Sequence, residues 1–240
     1  RWCLKKAHEL NLPSPTVLEI GEFRGRVYMI QSYVAGIPAA SLEGVSVLSR
    51  SEQLNVWYKL GEYAQKIHSV PVQGWGENMI EYGIFDGSWN RYLQYNIDSL
   101  NENDTLIAMS VLSLDQAKEI RYRFETLKGK RLNFGLCHGD IALRNAIASD
   151  QSETSLLDWG TARAEVTPHY DFVQILRDSK PDQETWNIFL DGYGMTKTTF
   201  KEIQNDLRTM NLLRSIDTLR WAIDKMPDVI PEHIKIVQEA

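Results

Sequence analysis

The run Leu136-Cys-His-Gly-Asp-Ile-Ala-Leu-Arg-Asn145, followed by Leu156-Leu-Asp-Trp159, constrains this chain more than any other feature. Asn133 to Cys137 is short and apolar, a strand that leads into a loop. Asn145-Ala-Ile-Ala and Thr154-Ser-Leu-Leu read as two further short strands, with the polar stretch Ser149-Asp-Gln-Ser-Glu153 as the turn between them. Such a hairpin carries Asn145 at its entry and Asp158 at its exit, so the two lie side by side with Asp140 on the loop just before them. One carboxylate can orient a hydroxyl and take its proton, while an amide and a second carboxylate can hold Mg²⁺ on phosphates. Phosphoryl transfer from a nucleotide needs such a set. His-Gly-Asp by itself would be an ordinary turn; the order of the groups and the strands around them carry the reading.

This pattern resembles the catalytic core of the aminoglycoside phosphotransferase/choline kinase family, the small-molecule counterpart of the protein-kinase loop. The resemblance implies an α+β, protein-kinase-like fold of two lobes, with a mostly helical C-lobe built around the catalytic hairpin. It implies ATP and Mg²⁺ as cofactors, with Asp140 as the catalytic base and Asn145 and Asp158 as metal ligands. His138 would hold the loop backbone rather than attack anything. Pro168-His-Tyr-Asp-Phe-Val resembles a further family element in which Asp171 supports the catalytic loop; a contact from Asp171 to substrate is the other reading. Cys137 reads as a small core residue, and His68 as a structural histidine.

The N-terminal segment carries the same resemblance. Trp2 to Leu10 reads as a helix, broken by Asn11-Leu-Pro-Ser-Pro15 because proline cannot continue it. Thr16–Ile20 and Arg26–Gln31 read as strands around Gly21-Glu-Phe-Arg-Gly25, and Ser32-Tyr-Val-Ala-Gly36 as a connector. By position in the family, the backbone at Ser32 and Val34 would hydrogen-bond adenine, and Ile147 and Leu157 would line an apolar floor beneath it. A plain core role for the last two reads the same way. The chain starts at Arg1, and the strands that in the family precede this helix, with their phosphate-covering loop and basic residue, are not in it. The expectation is therefore an incomplete N-lobe over residues 1–35 and a C-lobe over 36–240.

Composition limits the alternatives. The 240 residues suffice for one or two closely packed lobes. No apolar run reaches the roughly 18 residues of a membrane span, and two cysteines, Cys3 and Cys137, make no disulfide framework. They fit a reducing cytoplasm, the expected location. A net charge of −6 disfavours nucleic acid and suits a cationic small molecule. Oligomeric state is not legible.

The remainder reads as helical. Ser49 or Ser51 caps a helix to about Ser69, with Leu54, Trp57, Leu60, Ala64 and Ile67 on its apolar face. A glycine-rich loop spans Pro71–Gly87, and Ser88 caps the next helix. A stripe of Leu114, Ala117, Ile120, Phe124 and Leu127 marks another helix. Three more follow near 182–193, 198–225 and 229–239, capped by Asp182 and Thr198 and with Gly192 and Gly194 ending the first of them.

Matches such as Val17-Leu-Glu-Ile-Gly-Glu-Phe23, Gly74-Trp-Gly76, Ser215-Ile-Asp217 and Ala222-Ile-Asp224 resemble the hygromycin B phosphotransferase branch of the family. That resemblance implies an aminoglycoside or aminocyclitol acceptor, with Asp217 and Asp224 as candidates to meet its ammonium groups. Two other functions stay open: a metabolic kinase for choline, a sugar or an amino alcohol, and a non-catalytic kinase-like binding module.

Overall fold

The structure, a computed structural model, describes residues 1–149 and 153–239. Among the described residues no helix is long and apolar enough to cross a membrane. By compactness the chain divides into a unit of residues 1–86 and 133–200 and a second unit of 87–132 and 201–240. The expected boundary at 35/36 lies inside the first of these.

The first unit starts with helix α1 (Trp2–Glu9) and the antiparallel pair β1 (Val17–Phe23) and β2 (Arg26–Gln31). The turn between those strands is Arg24-Gly25, both at positive φ, so Gly21 belongs to β1 rather than to the turn. A short strand β3 (Ile37–Pro38) leads to helix α2 (Arg50–His68). Ser49 caps α2: its hydroxyl accepts from the Glu52 N–H while the Glu52 carboxylate accepts from the Ser49 N–H. Trp57, Leu60, Ala64 and Ile67 are buried as the periodicity requires, and Val56 joins them.

The glycine-rich stretch is not the expected open loop. It forms β4 (Trp75–Glu81) and β5 (Ile84–Gly87), and Gly74, at φ +77°, lies so close to the Phe85 carbonyl that a Cβ would sit 1.9 Å from it. Glycines permit this close strand approach, whereas in the sequence they look like loop residues.

In the second unit, helices α3 (Trp89–Ser99), α4 (Thr105–Ala108) and α5 (Leu114–Lys128) are capped by Ser88, Asp104 and Ser113. Leu93, Ile97, Leu106, Phe124 and Leu127 are buried in it, while Leu114 of the expected stripe is exposed.

The chain re-enters the first unit at β6 (Asn133–Cys137), turns through the loop, and forms β7 (Ala146–Ala148), β8 (Thr154–Leu156) and β9 (Arg163–Thr167). Strand order is β3-β7-β8 in one sheet and β5-β4-β9-β6 in another, with β6 and β9 antiparallel from Asn133↔Thr167 to Cys137↔Arg163. Helices α6 (His169–Gln174) and α7 (Gln183–Tyr193) follow. Asp182 caps α7, and Gly194 ends it in the left-handed conformation at φ +76°. Gly192 does something else: a Cβ there would meet the Tyr58 carbonyl at 2.0 Å, and one on Gly61 would meet the Phe189 carbonyl at 2.2 Å. These two glycines let α2 and α7 cross at near backbone contact.

Helix α8 (Lys197–Lys225) begins before the expected Thr198 cap, because the Thr196 hydroxyl takes the Thr199 N–H. From residue 201 it belongs to the second unit, where Arg220 bonds Asn96 at 2.9 Å and Asp104 at 2.7 Å. Helix α9 (Ile230–Glu239) ends the described chain.

Candidate active site

The apolar end of β6 delivers a loop whose backbone is tied on every side. Gly139 stands at φ +84°, and a Cβ on it would meet the Thr161 carbonyl at 2.7 Å. His138 is fully buried. Its Nε2–H donates to the Leu157 carbonyl at 3.0 Å and its Nδ1 accepts from the Asp140 N–H at 3.3 Å, which is the pattern of a neutral imidazole. Burial holds its pKa below the ordinary histidine value, against the pull of Asp171 and Asp140.

Beneath the loop, Asp171 at 0 % exposure accepts three hydrogen bonds. One oxygen takes the Gly139 N–H at 2.7 Å; the other takes the His138 N–H at 3.0 Å and His68 Nε2 at 2.9 Å. Burial pushes this carboxyl up, but the His68 contact and the backbone donors outweigh it and hold the group ionised, below the usual carboxylate range. His68 is held in turn by the Tyr193 hydroxyl at 3.0 Å. Cys137 lies here too, and ligand atoms of His68, Cys137 and Asp171 fall within 4.8 Å of one another. They do not make a convincing metal centre: both Asp171 oxygens are already occupied, and burial keeps the Cys137 thiol well above its usual pKa.

The chemistry-bearing groups lie at the loop's outer end. The half-buried Asp140 is bonded through Oδ2 to Asn145 Nδ2 at 2.8 Å, and through Oδ1 to the Arg144 guanidinium. Asn145 Nδ2 also donates to the Asp140 carbonyl at 2.9 Å. The hairpin register pairs Ala146 with Leu156, and the Leu157 N–H reaches the Asn145 carbonyl at 2.8 Å. Asp158 therefore follows the residue opposite Asn145. It is exposed, in the left-handed region at φ +55°, with Oδ1 accepting the Gly160 N–H at 3.4 Å. Of the expected turn, Asp150-Gln151-Ser152 lies outside the described residues; its ends, Ser149 and Glu153, are bonded at 2.9 Å.

The connector is attached to this hairpin. β3 pairs with β7, Ile37 opposite Ala148, and a Cβ on Gly36, at φ +140°, would strike the Ala148 carbonyl at 2.5 Å. The Leu156 N–H donates to the Pro13 carbonyl at 2.9 Å, so the proline element borders the hairpin as well. Ser32 uses its N–H on the Thr16 carbonyl at 2.8 Å, and the Val34 N–H has no partner among the described residues. Ile147 is buried and Leu157 half-buried. Asp217 and Asp224 belong to the second unit. Burial raises the Asp217 pKa although Tyr92 hydrogen-bonds it, and Asp224 is exposed. Sequence reasoning passed over Arg144 and Tyr193. The first had a signal, four residues after Asp140 on a turn; the second had none, being remote in sequence.

The phosphotransferase enzyme family matches residues 3–203. No curated protein matches the chain. Among solved structures, aminoglycoside phosphotransferase APH(2")-IIia in complex with GDP and kanamycin is 16% identical, with a TM-score of 0.66 over 99% of this chain and 82% of that one. A thermostable mutant of APH(4)-Ia, in ternary complex with ADP and hygromycin B, is 17% identical, with a TM-score of 0.62 over 99% and 81%. Macrolide 2'-phosphotransferase MphH from Brachybacterium faecium is 13% identical, with a TM-score of 0.58 over 97% and 76%. At these identities the likeness is one of fold: that of the kinase-like aminoglycoside phosphotransferases.

Proposed function

The chain belongs to the phosphotransferase enzyme family, and from that premise we propose an ATP-dependent small-molecule kinase that moves the γ-phosphoryl group onto a hydroxyl of a cationic, aminoglycoside-type acceptor. The observation that carries this reading is the disposition of Asn145. Its amide nitrogen is engaged twice by Asp140, at 2.9 and 2.8 Å, which leaves its oxygen as the remaining ligand atom beside the strand that leads to Asp158. Asn145 Oδ1 and the Asp158 carboxylate are the hard oxygen donors that suit Mg²⁺. When bound, the ion would neutralise charge on the phosphates.

In this reading Asp140 orients the acceptor hydroxyl and receives its proton as that oxygen bonds to the γ-phosphorus and the β–γ bridging bond breaks. The Ser32 carbonyl and the Val34 N–H are the backbone pair for adenine, with Ile147 and Leu157 against the base. Asp217 and Asp224 are assigned to acceptor ammonium groups. Nucleotides and aminoglycosides in the structural neighbours support the substrate classes.

Release of ADP tests the reading, measured with Mg-ATP and a panel of hygromycin B, other aminoglycosides, choline and simple sugars. Release that depends on an aminoglycoside is the expected result. Release only with choline or a sugar would replace the acceptor assignment, and a protein that neither binds ATP nor transfers would end it.

A further inference from the structure

We propose that Arg144 is a latch on Asp140, keeping it from activating water until an acceptor displaces the guanidinium. The inference rests on the kinase reading above and adds a positioning residue beyond Asp140, Asn145 and Asp158.

Both oxygens of the Asp140 carboxylate are engaged, Oδ2 by Asn145 and Oδ1 by Arg144. The two donors differ in how firmly they are held. Asn145 is buried and is fixed by its second bond to the Asp140 carbonyl. Arg144 and Asp140 keep side-chain exposures of 30% and 24%, so solvent and a bound molecule can reach this pair as they cannot reach Asn145. Arg144 is therefore the donor that can leave, and Oδ1 is the oxygen a hydroxyl would reach.

The guanidinium also has somewhere to go. Arg144 stands in the wall of a 380 Å³ cavity with Leu143, Trp57, Glu43, Lys180 and Asp182. Asp182 is already held by Arg50 at 2.8 Å. Glu43 is bonded to Ser41 and has no ion-pair partner among the described residues, so the cavity offers a released arginine a carboxylate. An acceptor bound through contacts remote from its hydroxyl can use that binding energy to displace Arg144; a lone water has none to use.

The suppressed side reaction is hydrolysis. Water oxygen would bond to the γ-phosphorus, the bond to the β–γ bridging oxygen would break, the water proton would pass to Asp140, and ADP and phosphate would leave. In the productive reaction the acceptor hydroxyl replaces that water.

The test is acceptor-free ADP release from Mg-ATP by the full chain, with ATP affinity measured alongside. Arg144→Ala is expected to raise this hydrolysis about tenfold, a barrier change of about 1.4 kcal/mol, with ATP affinity unchanged. Arg144→Lys is expected to fall between it and the parent, and added guanidinium ion to lower hydrolysis by Arg144→Ala. A merely structural arginine would not increase any rate when removed. Unchanged or slower hydrolysis by Arg144→Ala, in a parent that binds ATP and transfers phosphoryl to a panel acceptor, overturns the latch alone. A parent that does neither overturns the kinase reading, and the latch with it.

Discussion

The catalytic loop and the β1–β2 hairpin belong to the same compact unit, yet they are built in opposite ways. The loop's backbone is held by buried polar groups: Asp171 takes two consecutive loop N–H groups, His138 grips the Leu157 carbonyl, and Thr161 donates to the His138 carbonyl at 2.9 Å. The hairpin is a two-stranded sheet whose apolar side chains face solvent, with Val27 78% and Phe23 65% exposed. Two-stranded sheets are marginal by themselves, whereas a satisfied buried network fixes one geometry. Groups that must meet a reacting atom need the second kind of support.

The comparison breaks soonest at the chemistry. Asp140→Ala and Asp158→Ala are each expected to cut phosphoryl transfer by about 10²–10⁴-fold or more while the thermal midpoint stays near the parent's. Normal turnover in a folded Asp158→Ala protein would remove it from the metal site. Next comes the support. Asp171→Ala strands His68 and two buried N–H groups, and should cost about 3–5 kcal/mol in denaturant unfolding. A loss under 1 kcal/mol would mean the loop holds itself.

The junction between the two regions sits in between. Gly36→Val places a Cβ against the Ala148 carbonyl at a φ that valine avoids, and should cost about 1–3 kcal/mol and weaken ATP binding. Unaltered stability and affinity would show that β3 is not what couples the connector to the catalytic hairpin.

Acid should act on the loop selectively. The folded pKa of His138 is below its ordinary 6.5, so the unfolded chain binds the extra proton first. Stability from keeping His138 neutral is complete above about pH 6.5 and is lost as pH falls below it toward the folded pKa. Asp171, also depressed, adds a loss further into acid, below the unfolded carboxylate range. Thermal midpoints from pH 7 to 5 should fall, and fall less in His138→Asn; equal slopes would contradict the buried neutral imidazole. Least of all, Val27→Thr and Tyr33→Ser, at positions 78% and 88% exposed, should shift stability by no more than about 0.5 kcal/mol. A large loss would mean that the outer face of the hairpin, at Val27, or the connector, at Tyr33, is packed in solution.

Legibility in the sequence followed the range of the cause. Helix α2 was readable from a cap at Ser49 or Ser51 and the spacing of Leu54, Trp57, Leu60, Ala64 and Ile67, because capping and amphipathic periodicity act within a few residues; the structure uses Ser49 and leaves Leu54 half-buried. The catalytic hairpin was readable because Asp140, Asn145 and Asp158 are close in sequence and bounded by short apolar strands. β4 and β5 were not, since Gly74 just before β4, which reads as a loop residue, serves close approach to the Phe85 carbonyl. β9 was not, because Arg163-Ala-Glu-Val-Thr gains its pairing from β6, some thirty residues earlier, and from β4, with Gly76 opposite Ala164.

From the residues alone came the candidate polar groups Asp140, Asn145 and Asp158 and the local elements that present them, as these depend on side-chain chemistry and short-range backbone preference. Tertiary structure alone decided that Asp171 and His68 would meet 103 residues apart, and that β3 would join the connector to the hairpin strand β7. Those outcomes depend on which buried polar groups find partners when the core closes, and a linear sequence does not specify that pairing until the whole chain has packed.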